Sequence, residues 1–415
     1  MTRWERYVPV YGVPVFNRVF LALCALIAAG LGLTVYREIV GLGALSGMSD
    51  PFGWGLWKTF NVMVLTGLGS GGFSVGIAAF VFNNKKLHSV MRVALLTNLL
   101  AYASGMIMLG VDAGRPWNFY RIIFPWNWNL DSPLLEVAVC MSVYATIPLF
   151  LENLPPLFEY AIYRLPHYRK LAERLEQVMK KSYPFTIGLA YILPMMHQSS
   201  LGALMILGGD RVNTLWQTPW LPVIYVWAAA FMGFNCVVLC LLLSRLVYKR
   251  ELDGSVMLEL NRLTVWVVNG WVAFRLADVI GRDQMAHLFT DPYALLFWLE
   301  IGLTAGAAWV LTTNRAKKLG TMFWAHLCCA LGGVIYRFSP TMLAFHAKDG
   351  ATYFPSVLEI VVCLAYVAMA VAAYLVAVKK LAILPGNNED WRKMAQYEET
   401  VNPGIQWTGY AAAKH

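Results

Sequence analysis

Charged residues are scarce in this chain, and their scarcity excludes a large soluble protein. Asp, Glu, Lys and Arg make up 14% of the 415 residues, against about 25% in a typical soluble domain. Hydrophobic residues make up 58%. The net charge of +9 would suit a nucleic-acid-binding protein, but the basic residues cluster in loops between long apolar runs, as membrane topology requires. The composition predicts a polytopic membrane protein without a nucleic-acid partner.

Metal-binding cysteine motifs are also lacking. The seven cysteines lie within apolar runs, and none forms a CxxC pair. The pattern predicts small buried side chains and no iron–sulfur cluster or zinc site in this chain. Residues 67–72 are rich in glycine, but they lie inside an apolar run with no preceding strand. They therefore predict close helix packing and not a nucleotide-binding loop.

Long apolar runs are what the chain has in abundance, and ten of them are long enough to cross a membrane as helices. They cover residues 19–36, 55–82, 92–111, 134–151, 183–207, 221–247, 258–280, 293–313, 320–343 and 356–378. The predicted fold is all-α. A ten-helix membrane domain spans residues 19–383, between an N-terminal segment, 1–18, and a polar tail, 384–415. Many runs follow the first one, so we interpret it as a retained span and not a signal peptide.

Basic residues are divided unequally between the two sets of loops. The set that includes both termini carries 23 of the 33 Lys and Arg residues, and the alternate set carries 7. By the positive-inside rule, both termini are cytoplasmic. Within the longest cytoplasmic connection, 152–182, residues 169–181 predict a short amphipathic helix on the membrane surface or a solvated loop helix. Aromatic residues near run ends, among them Trp126 and Trp216, predict an interfacial belt.

Four polar residues interrupt the fifth run about 15 Å from its outer end: His197, Gln198, Ser199 and Ser200. Polar groups at this depth are costly unless they face protein, water or a ligand, so they are candidates for a functional site. The alternative is a hydrogen bond between helices. His326, the other histidine within a run, lies at a level about 12 Å away, and His88, His167, His287, His346 and His415 lie in loops or the tail. The histidines therefore predict no haem.

Most other ionisable residues within the runs lie near the same outer side. Asp112 ends the third run and precedes a segment that contains Arg115, Trp117, Asn118, Tyr120 and Trp126. Similar Leu-Glu-aliphatic segments around Glu136, Glu300 and Glu359 suggest a faint repeat and duplicated helix bundles. Ion pairing, such as that of Arg275 with Asp278 or Glu300, is the alternative for the charged residues. The pattern favours an outward-opening aromatic cleft whose polar groups could hydrogen-bond to a quinone and supply its protons.

The chain resembles the NrfD/polysulfide-reductase membrane-subunit family, most of all its HybB-like branch, over about residues 20–385. The segments that carry the resemblance are 53–57, 67–73, 112–118, 136–141, 196–205, 297–300 and 353–355. The resemblance implies two four-helix bundles plus two peripheral helices. It further implies a bacterial inner-membrane subunit that binds menaquinone as substrate near the periplasmic side and carries no haem or cluster of its own.

The same resemblance implies redox partners, and the polar and ionisable residues within and beside the runs are the candidate site residues. The partners are an extracytoplasmic ferredoxin-like iron–sulfur subunit and a multihaem cytochrome c, hydrogenase or molybdoprotein-like subunit, with membrane lipid around the chain. The predicted quinone-binding residues are His197, Ser200, Gln198, Ser199, Asp112, Arg115, Trp117, Asn118, Tyr120 and Trp126. The candidates for a proton path from the cytoplasm, which would make turnover electrogenic, are Lys58, Glu136, Arg275, Asp278, Glu300, Arg337 and Glu359.

Three alternatives to a menaquinone reductase complex stay open from the sequence. A hydrogenase-2-type complex would use the same site. A secondary transporter or ion-translocating subunit would explain the buried charges and the faint repeat in another way. A purely structural anchor for a redox complex would bind no quinone near His197.

Overall fold

The computed structural model describes residues 6–401 of the chain, except Gly53, Gly114, Lys348 and Asp349. The ends of the predicted terminal segments, residues 1–5 and 402–415 with Lys414 and His415, lie outside the described residues, as does the predicted outer-loop Lys348. Within the described part, ten helices are long and apolar enough to cross a membrane. The predicted all-α polytopic fold is therefore confirmed.

The ten spans follow the predicted runs closely. They are α1 (Arg18–Val40), α2 (Lys58–Val81), α3 (Lys85–Asp112), α4 (Pro133–Glu152), α5 (Arg169–Ile206), α6 (Leu221–Tyr248), α7 (Gly254–Gly281), α8 (Ala294–Thr312), α9 (Leu319–Leu343) and α10 (Val357–Lys380). Short helices in the connections are Leu42–Leu45, Pro116–Ile123, Pro125–Asn127, Pro155–Arg164, Pro166–Tyr168, Gly209–Arg211, His287–Thr290 and Asn314–Lys317. A last helix, α11 (Asn388–Val401), follows α10.

Several spans depart from regular α-helix. The segments Lys58–Leu65 and Ile77–Val81 of α2 and Ser339–Leu343 of α9 are π-helical. Such wide turns are rare and occur often at functional sites. In α4 the regular helix ends at Thr146 and resumes at Pro148, because proline cannot donate the backbone hydrogen bond of an uninterrupted helix.

The spans pack as two bundles and a peripheral pair. Helices α2 to α5 form the first bundle, and α6 to α9 form the second. Helix α1 pairs with α10, which packs against α3, while α6 contacts α2 and α5 and so joins the bundles. The predicted arrangement of two four-helix bundles with two peripheral helices agrees with these contacts.

Glycines make the joint between the bundles possible. A Cβ atom added to Gly233 of α6 would lie 2.5 Å from the backbone nitrogen of Gly71 of α2. A Cβ atom added to Gly69 would lie 2.5 Å from Cβ of Ala101 on α3. The predicted role of residues 67–72 in close helix packing is confirmed, because each approach excludes a side chain.

Two sequence expectations were wrong. Residues 169–181 form no separate surface helix, because α5 runs without a break over 38 residues from Arg169 to Ile206. Trp216 does not belong to an interfacial belt: it is fully buried, and its indole N–H donates to Glu300. The first was misassigned from its polarity and the second from its position at the end of a run, and neither signal reveals whether a neighbouring element covers a residue or extends a helix.

The two ends of the described chain meet on one side of the molecule. Strand β1 (Arg6–Val8) pairs antiparallel with β2 (Leu384–Gly386). Burial raises the pKa of Tyr7 to about 12, so its phenol stays protonated and donates to the backbone carbonyl of His88. Arg250, in the loop between α6 and α7, donates to the carbonyl of Pro9 at 2.5 Å and pairs with Asp390 of α11 at 3.2 Å. We call this side the terminal face and the opposite side the distal face.

We predict that Gly233→Ala destabilises the protein by about 1–3 kcal/mol, because the new methyl group meets backbone atoms that cannot move aside. The thermal unfolding midpoint in detergent measures the effect. Gly302→Ala on α8 is the matched control, since a Cβ atom there meets nothing within 4 Å and alanine stabilises an open helical position by about 0.5–1 kcal/mol. Equal thermal unfolding midpoints for the two variants would contradict the close approach of α2 and α6 at Gly233.

Candidate functional site

His197 lies on α5, fully buried between α3 and α4. Its Nδ1 lies 3.3 Å from the backbone oxygen of Val137 on α4, and its ring lies 5.4 Å from the ring of Tyr102 on α3. A carbonyl oxygen only accepts, so Nδ1 carries the hydrogen in the neutral ring and Nε2 presents a lone pair. Nε2 has no hydrogen-bond partner among the described residues. His197 is thus a buried base without a protein donor.

Gln198 connects four helices through its carboxamide. Its Nε2 donates to Thr66 Oγ1 of α2 at 3.1 Å and to the hydroxyl of Tyr102 at 3.3 Å. Its Oε1 accepts from Arg337 of α9 at 2.8 Å. Because both ends of the amide are bonded, its orientation is determined. We call His197, Gln198, Thr66, Tyr102 and Arg337 the polar layer.

Arg337 gives the polar layer a positive charge. Its guanidinium is fully buried, also donates to the backbone oxygen of Tyr225 at 2.7 Å, and stacks 4.1 Å from the centre of that ring. Nε and Nη1 have no hydrogen-bond partner in the described part of the chain, and no carboxylate there pairs with this arginine. A buried cation without a counter-charge favours an electron-rich or anionic neighbour.

Asp112 lies at the distal end of α3, where it forms an ion pair with Lys58 at the start of α2. The two side chains are 3.1 Å apart, with Asp112 buried and Lys58 34% exposed. Arg37 of α1 lies beside them and donates to the backbone oxygen of Ala113 at 2.6 Å. The pair opens towards the distal face, and we call it the mouth.

The mouth and the polar layer are separate. Lys58 and Thr66 are eight residues apart on α2, which amounts to about 10 Å of rise, because the wide π-helical turns between them rise less per residue than α-helical turns. Within the described residues, no hydrogen bond joins His197 or Gln198 to Asp112. The residues that were predicted to surround one quinone therefore lie at two different depths.

The remaining predicted quinone-binding residues lie elsewhere. Ser199 and Ser200 both donate to the backbone oxygen of Met196, at 3.0 and 2.7 Å, so their hydroxyls are used within their own helix. The segment after Asp112 lies on the distal face, where its side chains are exposed: Trp117 by 66%, Tyr120 by 54% and Trp126 by 78%. Arg115 is also exposed and Asn118 is half-buried. We call the segment 115–126 the aromatic rim.

Lys58 belongs to the mouth and Arg337 to the polar layer, and the other five predicted proton-path residues lie elsewhere. Arg275 and Glu300 form a fully buried ion pair of 2.9 Å, and Trp216 donates to the same carboxylate. Asp278 accepts from Thr218 at 2.6 Å and from Arg282 at 2.9 Å. These contacts decide the pairing that the sequence left open: Arg275 pairs with Glu300 and not with Asp278.

Glu359 and Glu136, the other two repeat glutamates, differ from each other. Glu359 is buried and accepts from Tyr353, from the backbone of Gly47 and from Ser356 in a capping box. Burial raises the pKa of the Tyr353 phenol above its ordinary value, so it serves as a donor. Glu136 is exposed. The faint repeat therefore does not place its three carboxylates in equivalent surroundings.

Sequence reasoning missed Tyr102, Thr66 and Tyr225, which surround Gln198 and Arg337. Tyrosine and threonine are common in apolar spans, and only their position opposite a buried amide or guanidinium makes them notable. The pairing of Gln198 with Arg337 was also missed, because the two residues are 139 positions apart and belong to different bundles.

Comparison with known proteins gives one family. Residues 44–346 match the family model described as "Polysulphide reductase, NrfD". The chain is 32% identical over 379 residues, 90% of its length and 94% of the relative, to the "Probable Ni/Fe-hydrogenase 2 b-type cytochrome subunit" of Escherichia coli (strain K12). It is 28% identical over 261 residues, 60% of its length and 59% of the relative, to the "Menaquinone reductase, integral membrane subunit" of Nitratidesulfovibrio vulgaris.

The description of the first relative as a b-type cytochrome calls for a test of haem ligation in this chain. Ligation of a haem by the two histidines of the spans needs a free ring nitrogen on each. Both ring nitrogens of His326 lie within hydrogen-bond distance of amide oxygens, at 2.6 and 2.9 Å. His197 and His326 therefore do not fit as an axial pair.

We predict that Glu300→Gln destabilises the protein by about 3–5 kcal/mol, because it leaves Arg275 buried without its counter-charge. Thermal unfolding of the purified chain measures the loss. Glu136→Gln is the matched control: it makes the same chemical change at an exposed glutamate within a span and is expected to alter stability by about 0.5 kcal/mol or less. A Glu300→Gln midpoint equal to that of the control would contradict the importance of the buried pair.

Proposed function

The chain belongs to the NrfD family of membrane subunits, and on this premise we propose that it binds menaquinone at the mouth. There it exchanges electrons between the quinone and an iron–sulfur partner seated on the distal face. The observation that carries the proposal is the Asp112–Lys58 pair, a buried carboxylate whose half-exposed ammonium partner opens to the distal face beside the aromatic rim. Aromatic and apolar surroundings with a few convergent polar groups are typical of quinone and cofactor sites.

The chemistry of quinone reduction assigns a role to each part of the mouth. Quinone takes up two electrons and two protons to give the quinol, and its carbonyl oxygens need donors throughout. Lys58 can donate to one oxygen, and Asp112, held between ammonium and guanidinium groups, can pass a proton to it. The electrons come from the partner, so this chain supplies binding and protons.

The aromatic rim is the proposed surface for the partner. Its exposed tryptophans and tyrosine lie in the segment that follows Asp112 on the distal face, and aromatic residues are typical anchors of protein interfaces. By the distribution of basic residues, the distal face is periplasmic. A ferredoxin-like subunit docked there would bring its cluster to the quinone without crossing the membrane.

The polar layer provides the proposed connection to the protein interior. His197 presents a free lone pair, Gln198 and Tyr102 continue the hydrogen-bonded chain, and Arg337 joins it to the second bundle. Protons from the cytoplasmic side would reach the mouth through this layer, and turnover would then be electrogenic. The ionisable groups at several depths support this route, with the Arg275–Glu300 pair as the next group along it.

The type of complex is part of the proposal. Similarity to the hydrogenase-2 subunit covers 90% of the chain and similarity to the menaquinone reductase subunit covers 60%. This coverage supports a hydrogenase-2-type complex at least as strongly as a menaquinone reductase complex. The same mouth would serve either, because both exchange electrons with a quinone.

We predict that Asp112→Asn weakens the binding of a menaquinone analogue about tenfold, because it removes one charged hydrogen-bonding group from the ligand. Quenching of tryptophan fluorescence in the purified chain measures binding, since Trp117 and Trp126 border the mouth. Asp131→Asn, at an exposed aspartate beyond the rim, is the control and should leave the Kd unchanged. Binding that is insensitive to Asp112→Asn, or no saturable quenching at all, would contradict the proposed function.

We predict that quinone reduction by the complete complex in sealed proteoliposomes generates a membrane potential. His197→Ala should lower turnover about 100-fold if Nε2 passes protons, and the Kd for quinone should change little. A potential-sensitive dye and quinol formation are measured together. Turnover without a membrane potential would contradict the proton route through the polar layer. Unchanged turnover in His197→Ala would show that His197 is not part of that route.

A further inference from the structure

The second bundle contains a buried histidine that takes no part in the ion pairs or the mouth. His326 of α9 is fully buried and lies about 10 Å from the terminal end of its helix. Asn235 of α6 and Asn261 of α7 lie on its two sides, exposed by 0% and 3%. Three helices of the bundle therefore meet at one imidazole.

Each ring nitrogen of His326 faces an amide oxygen. Nδ1 lies 2.6 Å from Oδ1 of Asn235, and Nε2 lies 2.9 Å from Oδ1 of Asn261. An amide oxygen only accepts hydrogen bonds. In this arrangement both ring nitrogens carry hydrogen, which is the positively charged form of histidine.

The amide of Asn235 is held in this orientation by bonds of its own. Its Nδ2 donates to the backbone oxygen of Phe231 at 2.7 Å and contacts the Cys329 sulfur at 3.2 Å. If the amide turned over, its oxygen would face the Phe231 oxygen, and two acceptors would repel each other. Nδ1 of His326 therefore keeps its hydrogen in either charge state.

Asn261 has no such constraint. Its carboxamide makes no hydrogen bond other than that to His326 within the described part of the chain. With its oxygen towards the ring, Nε2 must be protonated. With its NH2 group towards the ring, Nε2 must be a bare acceptor and the ring neutral. The two orientations of Asn261 correspond to two protonation states of His326.

The surroundings favour a transient charge over a permanent one. Within the residues described, no carboxylate, lysine or arginine contacts the ring. On α7, Glu259 instead accepts from Asn84 and lies near Arg262; on α8, the nearest acid, Glu300, is bonded to Arg275. The titratable neighbour is a thiol, that of Cys329 on α9, which contacts the Asn235 amide. A buried cation with two amide acceptors and no counter-ion is costly to keep.

The buried face of α7 leads from this histidine to the polar layer. It carries Asn261, Thr264, Trp271 and Arg275, at the spacing of one helix face. Several polar atoms along this route have no hydrogen-bond partner in the described chain: Thr264 Oγ1, Trp271 Nε1, Tyr336 Oη and Tyr225 Oη. The rings of Trp271 and Tyr336 are 5.2 Å apart, and those of Tyr336 and Tyr225 are 5.5 Å apart.

We propose that His326 is a proton-binding site of the second bundle, at which Nε2 gains a proton as the carboxamide of Asn261 turns over. The proton then moves along the buried face of α7 towards the polar layer by exchange at hydroxyl groups such as those of Tyr336 and Tyr225, while Arg337 keeps its own protons. Only a proton moves: uptake forms the Nε2–H bond, and release leaves the lone pair to accept from the Asn261 NH2 group. The destination of the proton rests on the proposed function, whereas the binding site does not.

The binding site is tested on the purified chain in lipid with nitrogen-15-labelled histidine. Nuclear magnetic resonance reads the protonation of each ring nitrogen between about pH 5 and 9, the range around the ordinary pKa of histidine. The His326 signals are those lost in His326→Gln. If that variant fails to fold, the signals shifted by both Asn261 variants identify His326.

The expected result is an Nδ1–H ring at every pH, with Nε2 gaining its proton as the pH falls. Asn261→Asp should raise the midpoint by about 1 pH unit or more, because a carboxylate stabilises the cation, and Asn261→Leu should lower it. A ring with bare Nδ1, no titration of Nε2, or a midpoint that neither variant moves would overturn the site.

The route is tested on the complete complex in proteoliposomes. His326→Gln keeps a donor and an acceptor but cannot hold a proton, so proton uptake during turnover should fall about tenfold or more, with quinone affinity unchanged. His287→Gln, on the short distal helix His287–Thr290, is the control and should take up protons at the wild-type rate. Unchanged uptake in His326→Gln would overturn the route, while absence of quinone binding in the wild type would refute the proposed function and leave the magnetic resonance result standing.

Discussion

The hydrogen bond from Arg337 to Gln198 is the interaction on which the candidate site depends. It joins the two helix bundles at 2.8 Å with both side chains fully buried. A guanidinium does not lose its proton in a protein, so it always requires acceptors, and the Gln198 oxygen is one of the two that the structure provides. With that oxygen held, the Gln198 NH2 group must face Thr66 and Tyr102. The charge of Arg337 thereby determines the direction of the hydrogen bonds that Gln198 makes in the polar layer.

The candidate site has two levels, the polar layer and the mouth. The polar layer is closed on all sides by helices and lies about 10 Å below the mouth, while the Asp112–Lys58 pair remains accessible from the distal face. The proposed function therefore assigns ligand chemistry to the mouth and proton movement to the layer below it. The glycine contact between Gly71 and Gly233 brings α2 and α6 close enough for α2, α5 and α9 to share this layer.

Much of this architecture could be predicted from the sequence, because a helix that crosses the membrane needs an apolar run long enough to span its hydrocarbon core. All ten spans were found to within a few residues, apart from the starts of α3 and α5, whose polar first turns conceal where the helix begins. His197, Gln198, Asp112 and Arg337 could also be singled out as buried polar residues, since polar groups in apolar runs are costly.

What the sequence could not show was which of these residues meet. The partners of Gln198 come from three other helices, and the tyrosines around Arg337 look like ordinary span residues. Ser199 and Ser200 show the reverse error: their hydroxyls bond to their own helix, as serine often does in apolar spans. Depth alone also suggested that Asp112 and His197 share a ligand, and only the pairing of Lys58 with Asp112 and of Thr66 with Gln198 separated them.

Photoaffinity labelling with an azido-menaquinone, followed by mass spectrometric mapping of the labelled peptides, tests most directly the claim that quinone binds at the mouth. The account predicts labels on the distal ends of α2 and α3 and on the aromatic rim, with competition by unmodified menaquinone. Competed labels confined to the terminal face, for example in the cleft of roughly 460 Å³ lined by Tyr7, His88 and Glu152, would contradict it.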